Sequence, residues 1–529
     1  MKYILASLLV LVITVVQAGT GPLFRLNTQE TANGLATQIN TTIPNRTYPR
    51  AGLVLPANYT LSSSSCAWMF NNVCMLSLDN SNPQSVYLIG KAGDAPSTLC
   101  LNGVGQLNCQ QFDMQAVPKM IVAGTQKNPN DLLQTTGYQG AYNLINGNFS
   151  TSNVISPSFT NTAGEFKTAS CTRSGSFCMI GGFSNTSTPY QLKAVGSLDK
   201  GATWFDLSNP PNPNNLTSAQ IWANTCSEQS QVCIASGEVQ PTSGNNRAYV
   251  WIFDIATQTW TDSSYINLNQ FFGSFNLTAT ACYHFNNRTR CVLVGYTTAG
   301  QSSTNLPLSV LLDIDSQKRI MSYQITSPSD MPVLNNVTYF PALYGVSCGE
   351  DGTRCVMAGF AYPPNANGNN IPVTYISSNG GLTWSLSPSQ PIMPSNTYVD
   401  TQPVSCASNG LDCVLGGWSH PSGDRNTSSG LIYITHNGGA SWDNPTTIVA
   451  SSNAYPTIRL NKVACSASGR FCIAVGSIGN STQNGSTART SYPYLSYTYN
   501  GGQSWSSAIQ LYFIANYGNS AFANALVTQ

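Results

Sequence analysis

The chain has 529 residues, a formal net charge of +1 and a charged fraction of only 8%, against about 25% in an average soluble protein. So even a balance, without any basic cluster, excludes a face built to neutralise nucleic-acid phosphates, and it disfavours an anionic membrane surface for the same reason. Solubility has to come instead from Asn, Ser, Thr, Gln and Gly.

At the N-terminus Lys2 precedes an apolar run from Tyr3 to Val16, followed by Val16-Gln17-Ala18 before Gly19. A basic start, an apolar centre and small residues at the cleavage positions predict a secretory signal over residues 1–18 and an exported, extracellular mature chain. A membrane anchor needs about 20 apolar residues. No later stretch is that long, so no membrane span is expected. Residues 19–50 read as a leader or ring-closing strand.

Sixteen cysteines in an exported chain predict eight disulfides. Cys171/Cys178, Cys226/Cys233, Cys348/Cys355, Cys406/Cys413 and Cys465/Cys472 share one spacing, while Cys66/Cys74, Cys100/Cys109 and Cys282/Cys291 are slightly wider. A metal site would want C-x-x-C or clustered histidine. Neither occurs, since the histidines are His284, His420 and His436, and neither metal nor cofactor is expected.

The cysteine text recurs at steps of roughly 55 to 65 residues: ASCTRSGSFCMIGGF, NTCSEQSQVCIASGE, TACYHFNNRTRCVLVGY, VSCGEDGTRCVMAGF, VSCASNGLDCVLGGW and VACSASGRFCIAVGS. Such a period marks a repeat architecture. With SSCAWMFNNVCMLSL around Cys66 and a degenerate unit around Met120, the count is eight. In that degenerate unit Cys100 and Cys109 are expected to pair across a connection rather than in a hairpin.

Within a unit, Asn409-Gly410 between Cys406 and Cys413 is a two-residue hairpin signal, because both central positions need positive φ. Asp351-Gly352 stands at the same place. Folding there sets the cysteines opposite each other, about 4.5 to 5.5 Å apart at Cα. The following CVLGG or CIAVG run is short, apolar and β-rich, as suits a buried strand. A polar loop, a third strand and an eight-residue turn complete the unit.

Four such turns are clear. They are Ser197 to Trp204, Ser377 to Trp384, Thr435 to Trp442 and Thr498 to Trp505. Phe253-Asp254 to Trp260 is a degenerate fifth, and Leu312-Asp313 to Ile320 an eroded sixth. Asp or Asn should bond its own turn, Gly should take a left-handed conformation, and Trp should pack between sheets. The residues concerned are Asp199, Gly201 and Trp204; Asn379, Gly381 and Trp384; Asn437, Gly439 and Trp442; and Asn500, Gly502 and Trp505.

The pattern S/T-x-D/N-x-G-x-S/T-W resembles the Asp-box, or BNR, repeat of sialidase-like β-propellers. The resemblance implies an all-β chain forming a single β-propeller of seven or eight four-stranded blades, eight favoured, over residues 51–515. Most blades would carry one hairpin disulfide, and residues 516–529 would be a tail. Sialidases with this box bind a carboxylate through three arginines and act through a Tyr-Glu pair with an Asp acid/base. Phe24-Arg25-Leu26-Asn27 matches only half of their arginine motif. The mature chain holds just Glu30, Glu165, Glu228, Glu238 and Glu350 as glutamates. Glu228 and Glu350 lie inside cysteine hairpins. No catalytic residue is assigned on this basis.

Strand order puts cysteine hairpins and box turns at one end of every blade. The other end carries the loops, and propellers bind ligands there. Its aromatic and acidic residues Phe183, Glu238, Tyr296, Phe360, Tyr362, Trp418 and His420 are the candidate ligand contacts. The expected function is that of a secreted, non-enzymatic binding or adhesion module for glycans or extended peptides. The alternatives are a sialidase-like glycoside hydrolase with a diverged site and a structural surface or coat protein. Twelve N-x-S/T sequons, among them Asn185, Asn215, Asn276, Asn336, Asn426 and Asn480, would make it a glycoprotein and crowd the loop face if occupied.

Overall fold

The computed structural model describes side chains between Phe166 and Ser507 apart from connecting loops; outside that span it describes strand backbones between Phe24 and Ser150 and at Ala523–Thr528. The chain divides into two compact units, Met1–Pro118 with Gln529, and Lys119–Thr528. The first holds a four-stranded and a five-stranded sheet.

The second unit is a β-propeller with six blades, each a contiguous four-stranded antiparallel sheet in sequence order. Blade one starts with Gly164–Cys171, blade two with Leu216–Ser227 and blade three with Phe275–Phe285. Blades four, five and six start with Phe340–Cys348, Thr397–Cys406 and Thr457–Cys465. These first strands pack against one another in succession around the axis. A further sheet is composite: Lys119–Asn128 pairs on one side with Asp131–Tyr142 and on the other with the C-terminal strand Ala523–Thr528. That C-terminal strand packs against the inner strands of blades one and six.

The count corrects the expected seven or eight blades. Of the two extra sequence units, the one around Cys66 belongs to the first compact unit, where strand order does not follow the chain: Tyr48–Val54 lies between Val73–Leu78 and Ser97–Gly103. The degenerate one is split, with Cys100 and Cys109 in that first unit and Met120 on Lys119–Asn128 of the composite sheet. Cysteine spacing encodes a hairpin, and a hairpin is compatible with either kind of sheet. Cys100 and Cys109 stand opposite each other across a tight hairpin, Ser97–Gly103 with Gln106–Phe112, and not across a connection. Their side chains, and those of Cys66 and Cys74, lie outside the described residues.

Six disulfides close the cysteine hairpins of the six blades. They are Cys171–Cys178, Cys226–Cys233, Cys282–Cys291, Cys348–Cys355, Cys406–Cys413 and Cys465–Cys472. The first three have Cα separations of 3.9, 4.0 and 4.1 Å, closer than the spacing expected of an ordinary strand pair. The second cysteine of each pair is a core residue and not a surface one. Cys233 and Cys291 are 0% exposed and Cys355 is 1% exposed, and Cys178, Cys413 and Cys472 are likewise buried. Cys233 packs with Phe177, Met179 and Phe253, Cys291 with Leu293 and Leu312, and Cys355 with Met357 and Tyr375. These sulfurs therefore fill the space between blades and offer nothing to a ligand.

The second strands that carry these cysteines near their start are buried over most of their length in several blades, as in Val232–Pro241 and Cys413–Pro421. They are covered on both faces by neighbouring blades, so they read as continuous apolar runs rather than alternating ones. Cores therefore form between blades. Ala281, Val292 and Val294 of blade three pack with Leu343, Met357, Val373 and Trp384 of blade four.

In the four box turns the Ser/Thr, Asp/Asn and backbone groups satisfy one another, whereas the indole N–H of Trp384 and of Trp505 is buried without a described partner. The first residue is the centre of each: Ser377 Oγ accepts the Gly381 N–H at 2.8 Å and donates to Asn379 Oδ1 at 2.9 Å. Asn379 Oδ1 also accepts the Thr383 N–H at 3.0 Å, and its Nδ2 donates to Thr383 Oγ1 at 2.8 Å. Ser197, Thr435 and Thr498 repeat this. Gly381 and Gly439 have φ of 85° and 82°, which only glycine adopts freely. Trp442 reaches the preceding blade, donating to Thr374 Oγ1 at 3.3 Å.

Blades two and three lack this turn. Blade two closes through Gln258 at φ 55°, with Asp254 Oδ1 accepting the Ala256 N–H at 2.9 Å. Blade three closes with a turn from Asp315 to Lys318, the latter at φ 62°.

Candidate functional site

The two ends of the propeller differ in what is left to bind. At the cysteine end the hairpin tips are tied together. The Glu350 N–H donates to the Ser408 carbonyl at 2.9 Å, and the Ser408 N–H to the Ala467 carbonyl at 2.8 Å. Glu228, inside the cysteine hairpin of blade two, is half-buried and its Oε2 accepts the Ser174 N–H at 2.8 Å. Gln229 of blade two reaches Glu350 of blade four at 3.4 Å. These polar groups are already spent on one another.

Towards the loop end every inner strand carries a β-bulge at the same height. The register shifts at Lys167, Trp222, Thr278, Tyr344, Gln402-Pro403 and Asn461. A bulge re-aims a side chain out of the pleat and is common beside binding sites. Lys167, Trp222, Thr278, Tyr344, Gln402 and Asn461 are all half-buried, so each keeps some access to solvent.

The repeats contain the cause. Opposite the bulges of blades two, three, four and six stand Gly237, Gly295, Gly359 and Gly476, where a Cβ would collide with the carbonyls of Gln220, Asn276, Ala342 and Arg459. Gly417 has the same relation to the Asp400 carbonyl. The bulge pushes that carbonyl into the space of a side chain. The glycine four places after the second cysteine of each repeat was the available signal for these bulges.

The next position on the second strand holds five of the residues expected at the ligand face: Phe183, Glu238, Tyr296, Phe360 and Trp418, with Ser477 in blade six. Tyr362 and His420 lie two residues further on. Phe183, Glu238, Phe360 and Trp418 are buried; Tyr296, Tyr362 and His420 are half-buried.

Three groups emerge. In blades one and two the Lys167 ammonium lies 5.7 Å from the Phe183 ring centroid and 5.1 Å from that of Trp222. Beside them Glu238 Oε2 accepts from Asn246 at 3.0 Å, with the Trp222 indole against the same carboxyl. Burial raises the Glu238 pKa above the usual carboxylate value, outweighing both contacts.

In blades three and four the rings form a chain, with Asp400 of blade five beside it. Tyr296 meets Tyr344 at 5.6 Å, Tyr344 stacks on Phe360 at 5.3 Å and 6°, and Phe360 meets Tyr362 edge-on at 5.0 Å. Asn276 donates to the Tyr296 hydroxyl at 3.2 Å, and its own Oδ1 is buried without a described partner. Asp400 accepts from Asn370 at 2.7 Å. Burial pushes the Tyr344 phenol well up, with Tyr296, Tyr362 and Asp400 adding to it. Burial and then Asp400 raise Tyr362 likewise.

In blades five and six His420 stacks on Tyr398 at 4.8 Å, and the Arg459 guanidinium lies 5.6 Å from the Trp418 ring centroid. Sequence reasoning missed Trp222, Tyr344, Asp400 and Arg459, because they lie on inner strands upstream of the cysteines, where the repeat text diverges.

Asn276 is the one sequon of the loop face with a described side chain, and its amide is engaged with Tyr296. Asn185, Asn215, Asn336, Asn426 and Asn480 lie outside the described residues. Among the described residues no group of three His, Cys, Asp or Glu is placed to hold a metal ion, and no helix is long and apolar enough to cross a membrane.

No protein-family model matches the chain, and no curated protein matches it. Among solved structures it is similar to the β-propeller domain of the Trilobed protease from Pyrococcus furiosus, with 11% identity, TM-score 0.39, and 75% of this chain and 93% of that one covered. It is also similar to an ulvan lyase of a polysaccharide lyase family, with 9% identity, TM-score 0.40, and 74% and 92% covered. A Hadza microbial sialidase gives 10% identity, TM-score 0.38, and 77% and 85% covered. At such identities the likeness concerns the fold alone, and the chain is a β-propeller by its own strand order.

Proposed function

We propose that this protein is an exported, non-enzymatic binding module whose ligand, a carbohydrate or an extended peptide, sits on the loop end of the propeller around the bulges. The observation that carries this reading is the row of six bulges. Six inner strands depart from regular pairing at one height, each with a half-buried residue at the bulge, and Lys167, Trp222 and Tyr344 among these lie against aromatic rings. Regular strands would pack as well or better, so a repeated departure suits a binding surface rather than a stabilising one.

Six disulfides support export to an oxidising compartment, in keeping with a signal over residues 1–18. The self-satisfied turns support kinship with Asp-box propellers, and their polar groups are occupied in holding the turn. The hydrolase alternative finds less support. Among the described residues the inner strands carry one arginine, Arg459, and it lies over Trp418.

The test is binding of the purified protein to arrayed glycans and extended peptides, with Trp222→Ala and Tyr344→Ala as loop-end variants and His436→Ala as a change at the cysteine end. At least tenfold weaker binding in either loop-end variant, with His436→Ala unchanged, is the expected result. A wild-type protein that binds nothing, or that turns over fluorogenic sialosides, overturns the reading.

A further inference from the structure

We infer that the outer strand of blade three, Ile320–Thr326, docks a second copy of this chain by pairing antiparallel with its own twin about a two-fold axis at Gln324. This goes beyond the loop-end binding role, since it concerns the rim of the ring and neither of its ends.

An outermost strand leaves a row of backbone N–H and C=O groups unpaired, and proteins blunt such edges by shortness, charge, proline or a cover. Blades one, four, five and six use shortness. Their outer strands Phe205–Asp206, Ser385–Leu386, Thr446–Ile448 and Ile509–Gln510 are two or three residues long. Blade two uses charge. Asp262 stands in the middle of Thr259–Tyr265, and its oxygens accept the N–H groups of Ser263 at 2.7 Å and of Ile320 at 3.0 Å. Past Ile320, blade three uses none of these devices. Met321 to Thr326 includes no charged residue, proline or glycine, and among the described residues no strand pairs with its outer side. Met321 to Gln324 are exposed in a row, Met321 at 51% and Tyr323 at 37%.

The strand is complementary to itself. After one register shift at Met321, its pairing with Asn305–Ile314 runs unbroken from Ser322 to Thr326. In that flat stretch Tyr323 and Ile325 share one face, opposite Leu312 and Val310, while Ser322, Gln324 and Thr326 share the other. Rotation about Gln324 sets Tyr323 against the partner's Ile325 on the first face and Ser322 against the partner's Thr326 on the second. Aromatic–aliphatic and hydroxyl pairs of this kind stabilise a sheet, whereas like charges directly opposite would oppose it. The strand ends match in sign as well. Arg319 precedes the strand with its side chain 58% exposed beside Asp315, and the exposed Asp330 follows it in the short turn Pro328–Asp330. Antiparallel pairing therefore runs the basic end of each copy beside the acidic end of the other. Such a contact is isologous and closes on itself, giving a dimer and no fibre. A five-residue strand pair is small against the roughly 1,200 Å² at which stable interfaces begin, so the dimer is weak and concentration-dependent.

Sedimentation velocity of the full chain over rising concentration tests this, with the wild type expected to approach twice the monomer mass. Gln324→Cys puts two thiols across the axis at strand-pair spacing, and it should give a disulfide-linked dimer on a non-reducing gel. Thr447→Cys, on the short outer strand of blade five, should not. Gln324→Lys and Gln324→Glu each place like charges across the axis and should weaken association at least tenfold, and an equimolar mixture of the two should restore it. That rescue separates a lost contact from a lost fold. A wild type that stays monomeric overturns the inference, as does a dimer indifferent to both charges or not restored by mixing. Equal cross-linking of Thr447→Cys overturns it too. In each of these cases the loop-end binding role stands or falls on its own test.

Discussion

Blades one, four, five and six end their third strand in the eight-residue turn, and their outer strands, such as Ser385–Leu386 and Thr446–Ile448, are two or three residues long. Blades two and three end in plain hairpins, and their outer strands, Thr259–Tyr265 and Ile320–Thr326, run seven residues. In the first kind the turn closes its own hydrogen bonds and hands a tryptophan to the core, which uses up chain that would otherwise extend the sheet. In the second kind the polar groups look sideways. Asp254 of blade two pairs with Lys318 of blade three. Thr261 Oγ1 donates to the Lys318 carbonyl at 2.9 Å, and Asp262 Oδ2 accepts the Ile320 N–H at 3.0 Å. The same structural task is done within a blade in four cases and between two blades in the other two.

What both kinds share should be the most costly to disturb. Gly295→Val in blade three and Gly359→Val in blade four both place a side chain against an inner-strand carbonyl. Each should cost more than about 4 kcal/mol or prevent folding. Chemical denaturation that shows either change to be mild would mean that the bulges are incidental.

The tryptophans come next. Trp442 is buried at the boundary of blades four and five, and Trp442→Ala should cost about 3–5 kcal/mol. Trp260 of blade two is only partly buried and meets Phe253 edge-on at 5.1 Å. Trp260→Ala should therefore cost less, and equal melting shifts would erase the distinction.

Thr435→Ala removes the acceptor of the Gly439 N–H and should cost about 1–3 kcal/mol, with faster amide exchange confined to its own turn. Lys318→Met, at about 1–2 kcal/mol, should instead speed exchange in the turns of both blades two and three. Exchange limited to blade three would break the contrast.

The same pair sets a pH dependence. Burial raises the Asp254 pKa, but the Lys318 contact and the Ala256 N–H outweigh it, so the folded value falls below the ordinary 3.8. That stabilisation is full above 3.8 and is lost as pH drops below it through the lowered folded value. Lys318→Met should flatten this acid limb of the melting curve.

The smallest effect concerns Glu238, raised from 4.5 by burial. Its ionisation costs stability at neutral pH and is relieved as pH falls through the raised folded value. Glu238→Gln should raise the melting temperature slightly at pH 7, with the gain gone below pH 4.5.

Much of the blade was legible because it is local. A cysteine pair around Asn409-Gly410, an apolar run after Cys413 and a box at Thr435 to Trp442 each depend on neighbours within a few residues, so six hairpins and four turns could be placed from text alone. The candidate site was legible only by position. Tyr296, Tyr362 and His420 could be named as candidates because they follow a readable strand, whereas Tyr344 and Asp400 precede the cysteines in strands without a common pattern. The bulges that aim Trp222 and Tyr344 leave a trace only in the glycine opposite them.

The sequence by itself therefore determined the unit: its disulfide, its turn, its buried strand and the end at which both staples lie. Tertiary structure decided how many units join the ring, because a cysteine hairpin forms equally well in a sheet of another order, as in Met1–Pro118. It also decided the company each ring side chain keeps. Tyr296, Tyr344 and Asp400 come from three blades, and only packing around a common axis brings them to one place.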